Sequence, residues 1–109
     1  MSPRVIPLIL VLAAAAAQAD EPVGDQTGVT LMQKYHCQQC HTIDKTHGGP
    51  SFSAIAKHYV SDPNARAEVA ANILNGSSGA WGPVPMAPVA VSKEDLRPLV
   101  DWILSLNNI

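Results

Sequence analysis

Residues 37–41 read Cys-Gln-Gln-Cys-His, and these are the only two cysteines in the chain. Two thiols this close must either bond each other or share one external group, and a histidine at the next position puts an imidazole beside whatever they hold. A redox pair of the thioredoxin kind needs a surrounding βαβ pattern, and strand-like alternation is scarce here. Zinc needs two further ligands at recognisable spacing, which His41, His47 and His58 do not supply. A disulfide across so short a loop removes little chain entropy. The pentad is instead the signature of covalent c-type haem attachment, with Cys37 and Cys40 reached by the two vinyl groups of one porphyrin. His41 is then carried beneath the iron as an axial ligand. One covalently attached haem c per chain is therefore expected, with the fold wrapped around it.

The start of the chain has the layout of an export signal: Arg4, an apolar run from Val5 to Ala17, and Ala17-Gln18-Ala19 as a small-residue cleavage site. The mature chain is expected to begin at Asp20. The apolar run is shorter than the ~20 residues of a spanning helix, and Pro7 interrupts it. No later stretch is long enough, so no stable membrane insertion is expected. Haem c is attached outside the bacterial cytoplasm, and signal and pentad thus both point to the periplasm. Residues 1–19 read as the signal, 20–27 as a flexible tail containing Pro22 and Gly24, and 28–109 as one monohaem domain. With two Trp, two Tyr and one Phe, so small a domain lies near the limit where a cofactor is needed to complete the core. Net charge is −2, more acidic once Arg4 is removed, and the cations are dispersed. Nucleic-acid binding is excluded on those grounds.

Along the mature chain, Val29–Tyr35 reads as a short helix with Thr27 as its cap. Gly48-Gly49-Pro50 is a turn. Phe52–Tyr59 places Phe52, Ile55, Ala56 and Tyr59 at helical spacing. Ser61-Asp62-Pro63 gives a cap with proline at the first helical position, followed by a helix through Leu74 that Asn75-Gly76 ends. Residues 76–88 are rich in glycine and proline and read as a loop, yet Trp81 and Met86 suggest that the loop packs on something. Ser92 and Asp95 resemble a capping box opening a last helix, in which Pro98 predicts a kink or a later start.

The group on the second face of the iron decides between electron transfer and chemistry on a small ligand. The mature chain offers Met32 and Met86. Met32 precedes the pentad on the same helix and reads as a packing residue. Met86, 45 residues past His41 in a proline-braced segment, has the reach to arrive from the opposite side. His47 lies too near the pentad to cross the porphyrin easily, while His58 and His36 read as surface side chains.

The pentad, Gly49-Pro50 with a short helix after it, and the string Asn75-Gly-Ser-Ser-Gly-Ala-Trp81-Gly-Pro-Val-Pro-Met86 together resemble the small bacterial class I cytochromes of the cytochrome c-551 type. The resemblance spans roughly residues 28–105. It implies an all-α fold of about four short helices around one haem, a monomer, and a periplasmic role shuttling single electrons between respiratory redox proteins. It also implies that the Pro50 carbonyl accepts from Nδ1–H of His41, that Trp81 donates toward a haem propionate, and that Met32 and Trp102 pack where the first and last helices cross. The chain departs from the family pattern at Val89, where an asparagine stands near the methionine sulfur, at Asn72, where an arginine binds a propionate, and at Pro98. An exposed haem edge bordered by Val84, Pro85, Ala87, Pro88 and Val89 is the expected docking face, with weak dependence on salt. Two other functions remain open: a haem c enzyme or gas sensor with an open iron site, and a dedicated subunit of a periplasmic dehydrogenase.

Overall fold

The computed structural model describes residues 2–11 and 26–109. Residues 2–11 form no helix or strand, and their apolar side chains are exposed. The expected cleavage site and the start at Asp20 lie outside the described residues. No helix among those described is long and apolar enough to cross a membrane.

The first helix, α1 (Gln26–Lys34), begins before the expected boundary, so Thr27 lies inside it rather than capping it. What matters in this turn is Gly28. A Cβ there would fall 1.9–2.4 Å from side-chain atoms of Trp102, so α1 crosses the last helix, α4 (Lys93–Ser105), where α1 has no side chain. Leu31, Met32 and Trp102 are buried at this crossing, as the packing role expected of Met32 and Trp102 requires. After Lys34 the chain reverses through His36, whose left-handed conformation (φ 60°) feeds a 3₁₀ turn over Cys37–Gln39. Such a conformation costs a non-glycine residue about 1–2 kcal/mol.

Helix α2 (Phe52–His58) starts at the expected residue, capped by Ser51, whose Oγ accepts the Ala54 N–H at 3.0 Å. Phe52, Ala56 and Tyr59 turn inward. Phe52 sits between the rings of His41 (centroids 5.2 Å apart, planes at 27°) and Trp102 (5.4 Å, 65°). An aromatic stack therefore runs from the pentad to the helix crossing.

The third helix does not begin at Pro63. The Asp62 carboxylate accepts the Asn64 N–H at 2.8 Å and its carbonyl accepts the Ala65 N–H at 3.2 Å, a turn that leaves Pro63 outside α3 (Ala65–Asn75). Local side-chain bonding competed with the helix and won. Gly76, with φ 78°, ends α3.

Residues 76–88 are not an irregular loop. They hold a hairpin of β1 (Ser77–Gly79) and β2 (Gly82–Met86), antiparallel, with Gly79 opposite Gly82 and Ser77 opposite Met86 and one irregularity of register between. Gly79 (φ 85°) and Gly82 (φ 120°) let Ala80-Trp81 close the turn. Pro83 and Pro85 hid β2 from pattern reading, because proline breaks ladders. They fall between the paired positions 82 and 86, where a missing N–H costs no cross-strand bond. The Val89 N–H, bonded to Ile73 O at 2.8 Å, ties the exit of the hairpin to α3.

Helix α4 starts where the Ser92 cap predicts, with Ser92 Oγ accepting the Asp95 N–H at 3.2 Å. Pro98 neither delays nor interrupts it. Pro98 and Glu94, whose carbonyl loses its helical partner, are both exposed, so water can take the vacated bond. The other half of the capping box comes from the end of α1 and the residue after it. The Ser92 N–H donates to Tyr35 Oη (3.2 Å), which itself donates to Asp95 Oδ2 (2.6 Å), and Lys34 Nζ pairs with the same carboxylate at 2.7 Å. Helix α2 packs on α4 and on a last 3₁₀ turn, Leu106–Asn108, while α1 and α3 pack on α4. Leu99, Val100 and Leu106 form the dry centre.

Candidate haem site

The pentad is built by its own backbone. The His41 N–H and Cys40 N–H both reach Cys37 O, at 2.9 and 3.2 Å, and this tight turn sets both thiols beside His41. Cys37 and Cys40 are free rather than joined to each other. Cys37 is half-buried, Cys40 is exposed, and burial pushes the Cys37 thiol above its ordinary pKa.

His41 is buried, only 9 % exposed, against the face of Phe52. Its Nδ1 lies 2.7 Å from Pro50 O. A carbonyl oxygen can only accept, so the proton resides on Nδ1, and Nε2 keeps its lone pair for a metal. Gly49 makes this approach possible: a Cβ there would lie 3.0 Å from Cε1 and 3.3 Å from Nδ1 of His41. Backbone bonds from Gly49 N to Cys40 O (2.7 Å), Phe52 N to Thr42 O and Ser53 N to Ile43 O (both 2.9 Å) hold the turn of residues 48–50 against the pentad. The residues present fit a covalently attached haem, with two unpaired thiols and a buried imidazole whose Nε2 is free to ligate. Among the described residues no three His, Cys, Asp or Glu side chains gather as a site for a bare metal ion.

Met86 and Trp81 come from the hairpin. Met86 is half-buried and packed against the core, and its carbonyl sits where a Cβ on Gly76 would be, at 2.6 Å. Trp81, at the turn, is 42 % exposed and meets His58 edge-on (centroids 5.2 Å, 65°). His36, His47 and His58 are exposed, as expected of surface histidines. At the two departures, Val89 anchors the hairpin through its N–H, and Asn72 lies beside Tyr59, whose hydroxyl burial pushes up in pKa while Asn72 opposes that shift. Ser51 escaped sequence reasoning, although a serine directly before an apolar helical run is a start signal that would have found it. Tyr35 left no such signal, because its partners lie 57 and 60 positions away.

The cytochrome c family model matches residues 26–107. Cytochrome c-551 of Stutzerimonas stutzeri is 37 % identical over 99 residues, which is 91 % of this chain and 95 % of that protein. Cytochrome c-551 of Pseudomonas aeruginosa is 38 % identical, covering 86 % of this chain and 85 % of that one. The crystal structure of wild-type Nitrosomonas europaea cytochrome c552 superposes with a TM-score of 0.69 at 40 % identity, over 72 % of this chain and 99 % of that one. Members of the family carry one covalently bound haem c and act as electron carriers rather than enzymes. With the family model covering nearly all of residues 26–109 and these relatives aligned through the pentad, the chain belongs to the cytochrome c family, as a class I c-type cytochrome of the c-551 type.

Proposed function

We propose that this chain is a periplasmic, monomeric one-electron carrier, with its haem bonded through Cys37 and Cys40 and its iron held between His41 and Met86. The observation that carries this reading is the buried His41 with Nδ1 bonded to Pro50 O at 2.7 Å, directly after two free thiols. Pro50 keeps the imidazole in one tautomer and strengthens it as a donor. The Phe52–Trp102 stack restrains ring rotation, and the hairpin brings a thioether. Held this way, the haem supplies a ferric/ferrous couple in which the soft sulfur favours the ferrous state. Trp81 offers its indole N–H to a propionate, and Val84, Pro85, Ala87, Pro88 and Val89 border the surface that meets redox partners. Residues 1–19 export the chain and residues 26–109 form the carrier domain. The respiratory proteins it serves are small-interface partners of apolar rather than charged complementarity.

Absorption spectra of the purified haem protein, ferric and ferrous, test the ligation. The weak red band of a thioether-bound ferric haem is expected in the wild type and not in Met86→Ala. Uptake of added cyanide as fast in the wild type as in Met86→Ala would instead favour the open-iron enzyme or sensor. Elution as a single small species, with Asp20 as its first residue, is expected of the exported free carrier; co-purification with a dehydrogenase would make it a subunit.

A further inference from the structure

We propose that Ser51 is a positioning residue for electron transfer, holding the Pro50 carbonyl on Nδ1 of His41 and so setting how strongly the imidazole donates to the iron. The inference rests on the proposed ligation by His41. The Pro50 carbonyl and the Ser51 N–H belong to one planar peptide unit, so the direction of that carbonyl is fixed by whatever fixes Ser51. Proline contributes a locked φ and no donor of its own, leaving rotation of this plane as the remaining freedom.

Four observations show the plane pinned through Ser51. Its side chain is buried (5 % exposed). Its Oγ accepts the Ala54 N–H at 3.0 Å and lies 3.2 Å from Ser53 Oγ, itself buried. Its carbonyl accepts the Ile55 N–H at 3.1 Å. Its neighbour Phe52 is fastened to Thr42 O and stacked on the very ring that Pro50 holds. Turning the Pro50 carbonyl away from His41 would therefore unwind the first turn of α2. A matched control exists within the molecule. Ser92 has nearly the same backbone conformation (φ −64°, ψ 155°, against −65° and 154° at Ser51) and caps α4 in the same way. Ser92, however, is exposed and follows no carbonyl that faces His41.

The test compares Ser51→Ala, Ser51→Gly, Ser51→Thr and Ser92→Ala as haem proteins, by reduction potential and by solvent exchange of the His41 Nδ1 proton in the ferrous state. Loss of the Ser51 hydroxyl loosens the Nδ1–H···O bond, weakens donation to the ferric iron and raises the potential. The Nδ1 proton should exchange about fivefold to tenfold faster, the effect of losing one ordinary hydrogen bond. Ser51→Gly keeps the helix start almost as stable as serine does, so it reports even where Ser51→Ala folds poorly. Ser51→Thr, which retains the hydroxyl, should match the wild type. Ser92→Ala should lower thermal stability and move neither readout. The proposal is overturned if Ser51→Ala and Ser51→Gly keep the wild-type potential and exchange rate, behaving as Ser92→Ala does. Failure of the ligation reading is seen separately, as wild-type His41 ring protons without the large shift of a ligand lying under a porphyrin.

Discussion

Two stretches of this molecule hold the groups proposed for one haem in opposite ways. From Cys37 to Ile55 the chain is fastened to itself at every turn, by Cys37–His41, Cys40–Gly49, Thr42–Phe52 and Ile43–Ser53 backbone bonds, with His41 buried at the centre. From Gly76 to Val89 it is fastened at its base, where Gly76 lies close against Met86 and Val89 bonds Ile73, while toward the tip Trp81 keeps one edge-on contact with His58 and Val84 (69 % exposed) stands in solvent. The first stretch fixes an imidazole in one orientation. The second carries a thioether, half-buried against the core, at the foot of a ribbon whose far end is exposed.

The largest expected effect breaks the histidine side outright. Cys37→Ala with Cys40→Ala removes the haem anchor, and a domain with so few aromatic side chains should then lose cooperative thermal unfolding. A sharp calorimetric transition without haem would show that the helices alone hold the fold.

Next comes the contrast between base and tip of the hairpin. Gly76→Ala meets both a left-handed φ of 78° and Met86 O at 2.6 Å, and should cost about 2–4 kcal/mol and disturb the Met86 spectrum. Gly79→Ala meets only its φ of 85°, with no atom within 4 Å, and should cost about 1–2 kcal/mol with the spectrum unchanged. Equal losses in denaturant titrations would mean that the base is no better fastened than the tip.

A smaller effect, of opposite sign, belongs to the histidine side. His36 holds φ 60° without a side-chain cap bond, so His36→Gly should stabilise the protein by about 0.5–1 kcal/mol. The smallest effect lies where α1 is tied to α4 beneath the pentad. The hydrogen bonds from Lys34 and then Tyr35 hold the Asp95 carboxyl below its ordinary pKa, and the Asp95 hydrogen bond and charge raise that of Lys34. The Asp95 contribution is present above about pH 4 and fades as pH falls through its depressed folded value; that of Lys34 is present below about pH 10 and fades as pH rises through its elevated one. Thermal melts of Asp95→Asn should therefore differ from wild type most near neutral pH and converge with it in strong acid.

What the sequence disclosed follows the range of each interaction. The pentad, the Phe52 helix and the Ser92 cap are local patterns, readable because partners lie within four residues. The hairpin was hidden by Pro83 and Pro85, which signal a break unless one knows which edge of the strand is paired. Asp62 was misread because its side chain serves a turn before α3 rather than the helix itself. Tyr35 completing the cap of α4 needs the tertiary arrangement, as does the aromatic stack from His41 through Phe52 to Trp102. The expected bond from His41 to Pro50 was legible only through family resemblance, and its support from Ser51 was not legible at all.

Pro83 and Pro85 have one more consequence. A two-stranded ribbon standing in solvent presents a free edge that another extended chain could pair with, the route by which exposed strands aggregate. On β2 that edge has lost two of its N–H groups to proline, so incoming backbone finds too few donors to build a ladder. The hairpin can thus expose Val84 and its neighbours to passing proteins and still let go of them, because what touches it can stick by side chains but cannot be stitched on.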